Sequence, residues 1–156
     1  MKNIIFQQIG TIYSPFETKD DCPIQSVYSS DTGGTVEVYE EYVEGLKDIE
    51  SFSHIILLYE FDRAGEVMLV RQPFLDDETY GIFASRHPCR PNGIGLSIVK
   101  LVQRDGNVLH VEGIDVLNGT PLLDIKPYSP KFDCFPEASN GWLESTTWRE
   151  KPEGRE

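Results

Sequence analysis

A chain of 156 residues with 39% hydrophobic and 26% charged residues is long enough to close one core without disulfide or metal support, so one domain is expected. Its 14 Lys and Arg stand against 26 Asp and Glu, a formal net charge of -12, which excludes nucleic-acid binding by general attraction to phosphate; any such partner has to be met locally. Three dispersed cysteines, Cys22, Cys89 and Cys134, lack a CxxC pair or clustered histidines, so no metal site is expected, and without a signal peptide or bilayer-length apolar segment the expected place is the cytoplasm, with no membrane partner.

In chain order, IIFQQIGTIYSPF carries β-branched and aromatic residues and stops at Ser14-Pro15, which predicts a strand running into a polar loop over 17–34. TVEVYEEY resumes as a strand, with alternation at Val36 and Val38. Val43, Leu46, Ile49 and Phe52 then recur at threes, which suits a short helix. SHIILLYEF is a continuous apolar run of strand length, and MLVRQPF and GIFASR are further runs bounded by Gly, Pro, Asp or Ser. After a turn at Pro91-Asn92-Gly93, LSIVKLVQ and VLHVEGIDV flank Arg104-Asp105-Gly106-Asn107, and Asp-Gly between two such runs is a strong hairpin signal. PLLDIKPY supplies a last strand. Beyond residue 138 the chain is polar apart from Trp142, Leu143 and Trp148, which suit a short helix or strand pinned to the body or to a partner, and the final KPEGRE reads as frayed.

About seven short strands with one helix and no βαβ rhythm predict a mostly β fold: a single antiparallel sheet that closes, or nearly closes, into a barrel and so removes its edges, with few short helices. The barrel domain is expected over 1–138 and a partly ordered C-terminal tail over 139–156.

The stretch GIFASRHPCRPNGIGLSIVKL stands out, because from 79 to 104 there is no Asp or Glu while Arg86, His87, Arg90, Lys100 and Arg104 fall inside it. Gly93-Ile94-Gly95 begins like a dinucleotide fingerprint, but Ile98 occupies the third glycine position and a strand-like run follows where a helix must open, so a tight turn feeding a strand is the better reading. Pro88 and Pro91 stiffen the loop while Gly93 and Gly95 free it. Arg86 and Arg90 suit a bound phosphate or carboxylate, and suit equally well salt bridges to some of the acids. A second constellation lies in DVLNGTPLLDIKPY, where the Asn118-Gly119 turn can present backbone N–H groups and Asp115, Asp124, Lys126 and Tyr128 offer polar tips. In a strand Asp124, Lys126 and Tyr128 share one face, which suits a polar site or, slightly better on spacing alone, a salt-bridged outer face. His54 and His110 read as structural histidines.

Five blocks, IGTIYSPF, PIQ, GLKDIESFSHIILLYEF, GIFASRHPCRPNGIGLS and NGTPLLDIKPYSP, resemble in this order and over nearly the whole chain the TsaA-like (TrmO) family. The pairing of RPN-x-IG with DIKPY is not a pattern that amphipathicity generates. The resemblance implies a single-sheeted β-barrel, a homodimer with sites near the subunit interface, and S-adenosyl-L-methionine as cofactor. The activity it implies is N6-methylation of threonylcarbamoyladenosine beside the anticodon of tRNA. It sets the cofactor against Gln25, Ser26, Asp62, Arg63, Arg86, Leu96, Asn118, Gly119 and Thr120, where an Arg can pair with the methionine carboxylate and an Asp with its ammonium. Asn92, Asp124 and Tyr128 are the candidates for accepting a hydrogen bond from the weakly nucleophilic adenine N6, with Arg90 and Lys126 as substrate contacts. A methyltransferase of the same fold with another small substrate, and a module that binds S-adenosyl-L-methionine or another nucleotide without turnover, are the alternatives. Three departures from the family pattern are expected: Ile24 where PRQ has Arg, Gly93 where RPNPIG has Pro, and no counterpart within 1–156 of the additional C-terminal domain of longer bacterial members.

Overall fold

Burying one face of each alternating segment closes the sheet on itself. The computed structural model describes residues 1–147 and forms eight strands: β1 Gly10–Tyr13, β2 Gly33–Val38, β3 His54–Glu60, β4 Val70–Arg71, β5 Tyr80–Gly81, β6 Ile94–Asp105, β7 Val108–Glu112 and β8 Thr120–Pro127. Six of them close an antiparallel barrel in the order β1-β2-β7-β6-β3-β8, and β4 pairs with β5 as a separate two-stranded sheet. The fold class is the one expected from the sequence. Inside the barrel lie Ile12, Val36, Val38, Ile55, Leu57, Val99, Leu109, Val111 and Leu122, each contributed by an alternating position. Full burial of an aliphatic side chain of this kind stabilises by about 1.5–3 kcal/mol relative to exposure.

The expected β6–β7 hairpin forms with Asp105 opposite Val108, and Gly106 takes a left-handed φ of 62° at its tip. Other elements differ from expectation. The first strand is only Gly10–Tyr13: two bonds through Ile9 extend the ladder by one residue, the neighbouring chain then turns away at Glu40, and Ile4, Ile5 and Phe6 lie exposed. The helix expected around Val43–Phe52 is instead two 3-10 turns, Glu40–Leu46 and Ile49–Ser51, separated by Asp48 at φ 65°. Recurrence at threes is the period of a 3-10 helix, so the spacing carried that information. MLVRQPF shrinks to β4, and GIFASR is the end of β5 followed by a 3-10 turn, Ile82–Ala84.

After β8 come one turn of α-helix, α1 Pro130–Asp133, and a 3-10 turn at Gly141–Ser145 that carries Trp142 and Leu143. The expectations for Trp148 and KPEGRE lie outside the described residues.

Candidate functional site

Strand polarity gathers most of the expected cofactor residues at one end of the barrel. β3 and β6 are antiparallel with Glu60 opposite Ile94, and the Phe61 N–H donates to the Gly93 carbonyl at 2.7 Å, so the exit of β3 and the entry to β6 lie side by side. β8 enters the same end at Thr120, which pairs with Ile12 of β1. The 113–119 connection between β7 and β8 and the 3-10 turn Ser26–Ser29 complete this end: Gly113 and Ile114 N–H groups bond to Thr32, and the Ser29 hydroxyl donates to the Ile114 carbonyl at 2.8 Å.

Four of the expected cofactor residues form one network here. Arg63 pairs with Asp62 at 3.1 Å and donates to the Asn118 carbonyl at 2.9 Å and to Thr120 Oγ1 at 3.1 Å. The Asn118 side chain accepts from the Ser14 N–H and donates to Glu17 at 2.9 Å, tying the exit of β1 to the turn. Gly119 supplies the left-handed φ of 77° that this turn needs. The sequence suggested a turn that presents backbone N–H groups, but the Asn118 N–H donates to the Phe16 carbonyl and the Gly119 N–H to the Ile12 carbonyl, so these two are not free for a ligand.

A second network joins Gln25, Ser26 and Arg86. Arg86 Nη1 donates to Gln25 Oε1 at 3.0 Å, and Gln25 Nε2 in turn holds the Ile24 carbonyl at 2.8 Å. The Ser26 backbone donates to the Asp115 carboxylate, which also receives a short hydrogen bond from the Ser97 hydroxyl. Ser97 pairs with the Tyr59 hydroxyl at 2.9 Å, and the Cys22 thiol donates to the Asp115 carbonyl. Burial pushes the Asp115 carboxyl up from the usual carboxylate value to about 6, while Ser97, two backbone N–H groups and the Arg86 charge pull the other way. Tyr59, buried beside that carboxylate, is pushed well above its usual value, by burial first and by the Asp115 charge second.

Asp115, Ser97 and Tyr59 were absent from the residues that the sequence resemblance nominated. The signal was available: Tyr59 follows Ile55 and Leu57, and Ser97 precedes Val99, at inward positions that should be apolar. A buried hydroxyl at such a position requires a partner, and Asp115 is that partner.

Gly95 makes the arrangement possible. A Cβ there would lie 2.1 Å from Tyr59 Cε2 and 2.5 Å from Cζ, against a ring fixed in the core. Gly95→Ala is therefore expected to destabilise the chain by about 3 kcal/mol, the upper end of overpacking costs, and to displace Tyr59 from Ser97. A thermal melt and tyrosine fluorescence check this; an unchanged melting temperature would show that the ring moves freely. Gly93 is less constrained. It is not in the left-handed region, and a Cβ there first meets Phe61 Cβ at 3.6 Å, so the backbone does not demand glycine at this position.

The cations of the acid-free stretch divide in two. Lys100 pairs with Glu112 at 2.9 Å and Arg104 with Glu50 at 3.5 Å, towards the far end of β6. Arg90 instead donates to the Ser85 and His87 carbonyls, and among the described residues neither Arg86 nor Arg90 forms an ion pair with a carboxylate. The salt bridges that the sequence offered as an alternative for Arg86 and Arg90 are thus made by Lys100 and Arg104 instead.

The remaining nominated residues sit elsewhere. Leu96 projects from the outer wall of β6, 40% exposed, between Ile94 and Ile98. Asn92 is exposed in the loop that leads into β6. Asp124 lies opposite Leu58 and pairs with Lys126 at 2.8 Å, the salt-bridged outer face that spacing favoured. Tyr128 packs edge-on against His54 with ring centroids 6.2 Å apart, at the start of β3. Seven strand residues separate it from the Arg63 end, about 20 Å at the usual rise per residue. His54 bonds to the Ser53 hydroxyl, as a structural histidine does.

Residues 11–134 match the family model described as the tRNA-methyltransferase O N-terminal domain. A probable S-adenosyl-L-methionine-binding protein of Pyrococcus abyssi is 53% identical over 141 residues, covering 90% of this chain and 77% of that protein. The tRNA (adenine(37)-N6)-methyltransferase of Escherichia coli K12 is 34% identical over 155 residues, covering 93% of this chain and 66% of the enzyme. A crystal structure of TrmO superposes with a TM-score of 0.78 at 39% identity, over 90% of this chain and 64% of that one, so the chain spans a little under two thirds of the solved TrmO chain. With a matched domain over most of its length, on a closed barrel of the expected class, the chain belongs to the TrmO family through its tRNA-methyltransferase O N-terminal domain.

Proposed function

We propose that this chain is an S-adenosyl-L-methionine-dependent methyltransferase that methylates N6 of adenosine 37 in tRNA, with threonylcarbamoyladenosine as the form of the base it accepts. One observation carries the reading most: Arg86 is held by Gln25 at the mouth of the barrel without a carboxylate partner among the described residues, beside a carboxylate buried at Asp115. This pairing of an available cation with a fixed anion suits the carboxylate and ammonium of a methionine group. In this reading Gln25 and Ser26, which bond to Arg86 and Asp115, and the separate network of Asp62, Arg63, Asn118 and Thr120 around Gly119 are the cofactor contacts, with Leu96, on the outer wall of β6, the one that a second copy brings into reach.

When bound, S-adenosyl-L-methionine supplies a methyl group on a sulfonium whose departure leaves a neutral thioether. The chain's task is therefore to hold the adenine amine in line and to exclude water. Asn92, in the same loop as Arg86 and Arg90, serves as an acceptor for the N6–H, and Arg90 meets phosphate. Asp124, Lys126 and Tyr128 lie on the outer wall and at the far end, so they reach a site through a second copy. The exposed apolar row Ile94, Leu96 and Ile98 on β6 offers that copy a face, which supports a homodimer. The reaction takes place where tRNA is modified, in the cytoplasm.

Purified chain incubated with labelled S-adenosyl-L-methionine and total tRNA, including tRNA bearing threonylcarbamoyladenosine, is expected to place label in the modified nucleoside. Binding without transfer would favour a binding module, and no binding by calorimetry would overturn both readings.

A further inference from the structure

The Gly141–Ser145 turn is not a loose end. Trp142 stacks on Tyr80 with ring centroids 4.6 Å apart and planes at 15°, and its indole N–H donates to the Ala84 carbonyl at 2.8 Å. Tyr80 is itself fixed by a 2.6 Å hydrogen bond from its hydroxyl to Asp76. The stack covers a sheet that needs support: β4 and β5 share only two residue pairs, Val70–Gly81 and Arg71–Tyr80, and lie outside the barrel. A two-stranded ribbon of that length is marginal by itself.

Its position along the chain gives the contact a consequence. Ala84 ends the 3-10 turn that leads into Ser85 and Arg86. Three successive residues are then held from three directions: Ala84 by Trp142, Ser85 by Arg90 Nη1 on its carbonyl at 2.9 Å, and Arg86 by Gln25. Among these holds the one on Ala84 reaches in from the C-terminal segment. Losing it frees the entry to the loop while leaving every barrel strand untouched.

We propose that Trp142 is a positioning residue for the site loop: the C-terminal turn clamps Tyr80 and Ala84, and thereby sets Arg86 and Arg90 for the anionic groups they meet. The proposal rests on the reading of that loop as part of the cofactor and substrate site. It also gives a role in ligand binding to residues 141–145, which lie beyond the residues 11–134 that match the family model.

The test uses the full chain with Trp142→Ala and Trp142→Phe, the latter keeping a stacking ring but losing the N–H. Amide hydrogen exchange over 80–90 is expected to accelerate at least tenfold in Trp142→Ala, with strand amides of β3 and β6 unchanged. The Kd for S-adenosyl-L-methionine is expected to rise about fivefold to tenfold, and Trp142→Phe to recover part of both effects. Unchanged exchange over 80–90 in Trp142→Ala would overturn the clamp, and accelerated exchange with an unaltered Kd would overturn the positioning role proposed for it. Faster exchange throughout the barrel would also overturn it, since Trp142 would then support the whole fold. Should the unmodified chain not bind S-adenosyl-L-methionine, the proposed function fails, and the exchange experiment still decides whether the clamp exists.

Discussion

Arg86→Ala is expected to raise the Kd for S-adenosyl-L-methionine more than tenfold, equivalent to about 1.4 kcal/mol or more, which is the scale of one lost charge-assisted hydrogen bond. Arg86 is exposed and its hydrogen bond is to Gln25, so the melting temperature should hardly change. Affinity and stability therefore separate at this position. Arg86→Lys keeps the charge but loses the planar fork that engages Gln25 and a carboxylate together, and should fall between the two. Calorimetry on the three proteins reads this directly. An Arg86→Ala protein with unaltered affinity would return the residue to a purely local role in holding Gln25.

Asp115→Asn is expected to move stability and binding in opposite directions. The carboxyl of Asp115 is raised from 3.8 to about 6 in the folded chain, so between those values the folded state binds the proton more tightly than the unfolded one. Stability contributed by this group is therefore present below about pH 4, falls as pH rises through that window, and is lost above about 6. A shift of about 2 units corresponds to about 3 kcal/mol at most. A neutral amide avoids that cost, so the variant should be more stable by about 1–3 kcal/mol at pH 8 and show no advantage at pH 4, measured by denaturant unfolding at the two pH values. Its affinity for S-adenosyl-L-methionine should drop about tenfold, because an ammonium loses its anion. In the unmodified chain affinity should weaken as pH falls through about 6, with Ser97, the Ser26 N–H, Arg86 and Tyr59 as the groups facing the carboxylate. An Asp115→Asn protein that loses stability at pH 8 would mean that the ionised carboxylate is a net support of the fold. Retaining a cost in stability for the sake of binding is a familiar trade at functional sites.

The barrel was legible because alternation and closure are local demands. Val36 and Val38, Ile55 and Leu57, and Leu109 and Val111 each announce an inward face, and once their strands pair, a closed sheet leaves no edge. The Asp-Gly hairpin was legible for the same reason, since Gly106 answers a backbone requirement within four residues. Length errors arose wherever a strand's end is set by its neighbour: nothing in IIFQQIG says that the chain beside it turns away at Glu40. The threefold spacing of Val43 to Phe52 suits a short helix, and it matches the period of the two 3-10 turns that form there.

By itself the sequence determined a mostly β barrel, an acid-free stretch at 79–104 in which Arg86 and Arg90 suit an anion, and the five blocks that mark the family. Its local patterns could not say which cations of that stretch meet acids, because Lys100 and Arg104 find Glu112 and Glu50 only when β6 lies against β7 and the 3-10 turn Ile49–Ser51 comes within reach. Tertiary structure alone brought Gln25 to Arg86 across 61 positions, joined Tyr59, Ser97 and Asp115 under Gly95, and set Trp142 on Ala84. Those associations depend on where chain ends meet at one mouth of the barrel. Closure of the sheet decides that, and no local pattern encodes it.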